Sequence, residues 1–105
     1  MSEVKVSVTF RHTQPTDALK NYAQEKIHRF GKYFPWPLKA HVVLAVESKE
    51  CQIAEVELHT HGTIIHGKEQ TLDLYSAIDL VVDKIERQIK KRKGKFKLNR
   101  RRTKA

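Results

Sequence analysis

A chain of 105 residues can build one thin-cored domain and is too short for two ordinary ones. Its net charge of +9 points to a polyanionic partner, with nucleic acid ahead of an anionic membrane. The single Cys51 excludes an internal disulfide, and no run approaches the ~20 apolar residues of a membrane span. Met1 to Lys5 has no basic and apolar regions of a secretory signal and leads straight into a strand pattern, so a cytosolic location is expected.

Val4, Val6, Val8 and Phe10 alternate with Lys5, Ser7 and Thr9, the period of a half-buried strand. After a loop, Thr16 stands as a helix N-cap, with Asp17 placed to favour the helix dipole. Leu19, Ala23, Ile27, Phe30 and Phe34 recur at helical spacing, which predicts a helix over 17–34, stopped by Pro35. Strands follow over 40–47 and 51–60, with Ile53 or Ala54, then Val56 and Leu58, facing inward. His61–Gly62 suits a tight hairpin turn into a fourth strand over 63–68. Thr71 is a possible N-cap for the second helix, with Asp73 in its first turn. Leu74, Ile78, Val81, Val82, Ile85 and Ile89 then form a stripe at the helical period.

The order β-α-β-β-β-α predicts an α+β fold: a four-stranded, mostly antiparallel sheet with two helices on one face. The other face should be wet, which suits Lys5, Ser7, Thr9, Glu55, Glu57 and His59. Residues 1–95 form the domain, and 96–105 a basic, flexible tail.

Charge is uneven along the chain. From Lys84 onward there are twelve Lys or Arg against one acidic residue, Glu86; before it, nine basic residues face eleven acidic ones. At about 100° per residue, Lys84, Arg87, Lys91 and Lys95 share one stripe of the second helix, away from its apolar side. Stacked cations of this kind can track phosphates, whereas a merely solvated face mixes its signs. Lys20, Lys26, Arg29 and Lys32 could extend the basic surface along the first helix, although Glu25 interrupts it and could pair with Arg29.

Other constellations read more plainly. His59, His61 and His66 invite a zinc site, but converging ligands of mixed type are missing, and surface imidazoles on the open sheet are the better reading. No phosphate loop, metalloprotease motif or activated nucleophile is present, so neither enzyme activity nor a cofactor is expected. Tyr75 and Asp79 could hydrogen-bond across one helical turn, or Tyr75 could pack with its hydroxyl in water. Tyr33, Phe34 and Trp36 read as core capping rather than base stacking.

The second helix carries a resemblance. Asp73–Leu–Tyr–Ser–Ala–Ile–Asp79, followed by Asp83–Lys–Ile–Glu–Arg–Gln–Ile89 and lysines, resembles the signature of the ribosome hibernation-promoting factor family, which includes the ribosome-associated inhibitor protein. Leu74 replaces the usual Met, and Ile85 and Ile89 replace Leu, changes that keep the apolar stripe. Thr16–Asp–Ala–Leu–Lys20 and Lys32–Tyr–Phe34 match as well, so the similarity runs from about Val4 to Lys95. The resemblance implies a fold akin to double-stranded-RNA-binding domains. It implies binding to the small ribosomal subunit and its ribosomal RNA, competition with mRNA and tRNA, and preservation of idle ribosomes in stress or stationary phase. It further implies RNA-binding roles for Lys20, Lys84, Arg87, Lys90, Lys91, Arg92, Lys93 and Lys95, and a monomer off the ribosome. The basic end at Asn99 to Lys104 is unlike the acidic extension of the inhibitor branch and favours a short promoting factor, with a truncated long member as the open alternative. The competing reading is a general double-stranded-RNA-binding module.

Overall fold

In the computed structural model the backbone is described for residues 3–104 and side chains for residues 3–92. The elements are β1 (Val4–Arg11), α1 (Asp17–His28), a 3-10 turn (Arg29–Tyr33), β2 (Leu38–Ser48), β3 (Cys51–Thr60), β4 (Thr63–Thr71) and α2 (Leu74–Lys104). The sheet order is β1-β2-β3-β4. β1 pairs with β2 in parallel because α1 carries the chain across between them; the hairpins β2-β3 and β3-β4 are antiparallel. The expected α+β fold is therefore present, as a mixed sheet.

Local chemistry explains most boundaries. Thr16 is extended and its Oγ1 accepts the Leu19 amide at 3.2 Å, capping α1 as expected. The first helix is not α-helical throughout. Its last turn tightens to 3-10 geometry over Arg29–Tyr33 before the extended Phe34 and Pro35 end it. The cap of α2 is Asp73 rather than Thr71. Asp73 Oδ1 accepts the Ser76 amide at 2.9 Å, three residues on, where an N-cap acceptor must reach. Thr71 instead accepts the Asp73 amide at 3.1 Å and closes the preceding turn. β4 runs three residues further than the pattern predicts, since Glu69, Gln70 and Thr71 stay paired with Ala54, Ile53 and Gln52. At the β3-β4 turn Gly62 has φ +82, a conformation open to glycine without strain.

Both helices cover one sheet face. Ala23, Ile27 and Phe30 meet Val42, Leu44, Ala54, Val56, Leu58 and Ile65, and α2 adds Ile78, Val81, Ile85 and Ile89. Of the two inward candidates on β3, Ala54 is buried and Ile53 is only half-buried on the opposite face. α2 lies over β3 and β4, and α1 over β1. Gly67 permits the approach of α2. A β-carbon there would lie 3.1 Å from Ile85 Cδ1 and 3.2 Å from Val81 Cγ2. The open face is less wet than alternation suggests. Val43 and Ala45 are buried at its centre, where Val43 stands between Thr9 and Glu55 on the adjoining strands.

Candidate nucleic-acid interface

α2 has three sides. Its apolar side is spent on the sheet, leaving two flanks. On the flank toward β4, Lys84 Nζ lies 3.3 Å from Glu69 Oε2, and Gln88 Nε2 donates to the His66 carbonyl at 3.1 Å. Arg87 follows, paired with Asp83 one turn back at 2.8 Å. Both pairs are at the surface, with the Arg87 side chain 80% exposed and that of Lys84 49%. Exposed pairs are worth only about 0–1 kcal/mol, so they orient these cations without locking them away from a stronger anion. Lys90, Lys91 and Arg92 are exposed and form no ion pair among the described residues.

The flank toward α1 is built differently. Tyr22 Oη donates to Asp79 Oδ1 at 2.6 Å, and Tyr33 Oη donates to Glu86 Oε2 at 2.7 Å. The Tyr33 bond holds the Glu86 carboxyl below the ordinary glutamate range, with Lys90, Lys32 and Arg29 adding to the effect. The same bonds raise both phenols above the usual tyrosine value. Lys26 approaches Asp79 at 3.9 Å and sits 5.2 Å from the Tyr22 ring centre. A cleft between the helices is thereby lined by Lys26, Arg29, Asp79, Asp83 and Glu86.

Several expectations change here. Asp79 takes its hydrogen bond from Tyr22, not Tyr75; Tyr75 packs edge-on against the Tyr22 ring at 5.0 Å. Arg29 and Glu25 form no ion pair among the described residues, and Arg29 instead contributes to the field around Glu86. His59 and His66 bond Glu57 and Glu55 at 2.8 and 2.6 Å, while His61 packs edge-on against Trp36, so the three imidazoles do not converge. No group of three metal-ligating side chains occurs among the described residues.

The expected RNA-binding residues do not all lie together. Lys84, Arg87 and Lys91 share the outer stripe of α2 by helical geometry, Lys90 faces the α1 side, and Arg92 borders the apolar end of the domain. Lys20 is exposed on α1. The side chains of Lys93 and Lys95 lie outside the described residues, as does the basic tail expected over 96–105. Sequence reasoning missed the two tyrosine–carboxylate bonds; Tyr22 on α1 and Tyr33 in the 3-10 turn were the available signal.

Fold and charge together define a small α+β binding domain whose second helix presents cations from an otherwise nearly neutral body. The family model described as Sigma 54 modulation protein / S30EA ribosomal protein matches residues 6–97. The chain is 33% identical to the ribosome hibernation promoting factor of Klebsiella oxytoca, over 90% of this chain and 98% of that one. It is 35% identical to the factor of the same name from Azotobacter vinelandii, over 88% and 85%. Among solved structures, the Protein Y N-terminal domain of Thermus thermophilus superposes with a TM-score of 0.76 at 32% identity, covering 83% of this chain and 97% of that one. A ribosomal subunit interface protein from Coxiella burnetii shares the fold, with a TM-score of 0.74 at 22% identity over 86% and 98%. The chain belongs to the Sigma 54 modulation protein / S30EA ribosomal protein family, whose ribosome hibernation factors are not enzymes.

Proposed function

We propose that this protein is a ribosome hibernation factor of the cytoplasm. It binds the small ribosomal subunit in the channel used by mRNA and tRNA and blocks translation by occupying that space. The names of its relatives support hibernation and ribosome binding. The observation that carries the mechanism is the exposed cationic run on α2, with Lys90, Lys91 and Arg92 free of ion pairs among the described residues. Such a run displaces the counterions condensed on RNA phosphates, and the pairs at Lys84 and Arg87 exchange at little cost. The packed domain behind it supplies the bulk that excludes mRNA and tRNA.

Pelleting with ribosomes across a salt series tests this. With about six phosphate contacts, affinity falls roughly a thousandfold between 50 and 200 mM salt. Salt-indifferent binding would remove the electrostatic mechanism. Excess duplex RNA should compete poorly with intact ribosomes; full displacement would instead mark a general RNA-binding module. A sucrose gradient of the mixture reports occupancy and any ribosome dimers together.

A further inference from the structure

We propose that the cleft between the Phe34–Trp36 segment, the β3-β4 turn and α2 is a subsite for one unstacked nucleobase. The inference rests on the RNA-binding reading above and adds a base contact to its phosphate contacts. The cleft has a volume of about 350 Å³, within the range of small-ligand sites. Phe34, Trp36, Ile65 and Ile89 give it apolar walls, with His61 and Arg92 also lining it. Phe34 and Trp36 have ring centres 5.8 Å apart at 41°, and His61 stands edge-on to Trp36 at 5.1 Å.

Two features favour a nucleotide. Pro35 and Pro37 flank Trp36 and restrict the backbone of this bent segment, so the stretch that carries the rings is held before a ligand arrives. Among the described residues no carboxylate lines the cleft, whereas the exposed Arg92 does, one residue after Lys91. A flat apolar body joined to an anion is the chemistry of a base on its phosphate. An aromatic peptide side chain would fit the walls but carries no anion for Arg92.

Trp36 is the only tryptophan, so its fluorescence reports the cleft directly. The full chain is titrated with single-stranded oligoadenylate, with an abasic ribose-phosphate oligomer of equal length, and with a short uncharged aromatic peptide. Anisotropy of labelled oligomers follows total binding. Oligoadenylate should quench Trp36 saturably and bind roughly five- to a hundredfold tighter than the abasic oligomer. Phe34→Leu, which keeps an apolar wall, should lower oligoadenylate affinity and leave abasic binding unchanged. Arg92→Ala should weaken the Trp36 response about tenfold, one charge-assisted contact. Equal binding of both oligomers with unchanged Trp36 emission overturns the subsite and leaves the phosphate-contact reading intact. Quenching by the peptide alone overturns it in favour of a protein occupant. Failure of both oligomers and of ribosomes to bind overturns the RNA reading and the subsite with it.

Discussion

The two flanks of α2 use the same kinds of charged side chain to opposite ends. Toward α1, Asp79 and Glu86 each accept a phenol from another element, so their charge is spent on holding the helices together. On the outer stripe, Arg87 has a partner from its own helix and Lys84 one from β4, both at the surface. The lesson is that a carboxylate's effect depends on what it faces. Beside a tyrosine it fastens the fold; beside an exposed lysine or arginine it parks a cation that a phosphate can claim.

The largest effect should come from reversing the outer stripe. Lys84→Glu, Arg87→Glu and Lys91→Glu together should cut ribosome affinity by about a hundredfold or more in pelleting at low salt. The melting temperature should barely move, since exposed pairs contribute little. A folded triple variant that binds like the wild type would erase the distinction between the flanks.

Next, Gly67→Val should destabilise the domain by about 1–3 kcal/mol in urea unfolding, because its side chain enters space held by Val81 and Ile85. Affinity measured below the unfolding transition should be retained. That outcome would separate the seating of α2 from the charges it displays.

Tyr33→Phe should cost about 1 kcal/mol of stability, a hydrogen bond to a carboxylate discounted for partial exposure. Its pH dependence is distinctive. Glu86 is more acidic in the fold than in the unfolded chain, so the bond's contribution is present above the ordinary glutamate range and fades as pH falls through the lowered value. Tyr33 is less acidic in the fold, so the contribution is full below the usual tyrosine value and fades as pH rises through the raised one. The wild-type and Tyr33→Phe stability curves should run parallel near neutrality and converge at both extremes. A constant gap across acid pH would assign the loss to packing alone.

Tyr22→Phe should have the smallest effect, a few tenths of a kcal/mol, since its bond to Asp79 is exposed. The free Asp79 carboxylate would then be available to Lys26, already 3.9 Å away.

What could be read from the sequence was local or periodic. The strand alternation, the Thr16 cap and the α2 stripe each depend on residues a few positions apart, and the element order follows from them. The cationic stripe was visible for the same reason, since helical spacing converts number into position. The tyrosine–carboxylate bonds were not visible, because they join residues 57 and 53 positions apart. Gly67 falls inside the predicted fourth strand, and nothing adjacent to it in sequence signals the approach of Val81 and Ile85. The partners of Lys84 and Arg87 were hidden too: Glu69 depends on the register of β4 beneath α2, and Asp83 was one of several carboxylates within reach.

The bond from Gln88 to the His66 carbonyl joins α2 to β4, the last strand of the sheet. The carbonyl it occupies faces away from β3, on the side where another chain could add a strand. The helix that displays the cations thus also occupies an acceptor on the edge strand of the sheet. A change that lifts α2 would leave that acceptor open on the edge strand. Loss of α2 seating should therefore be seen as turbidity on warming, whereas loss of the cations alone should leave the solution clear.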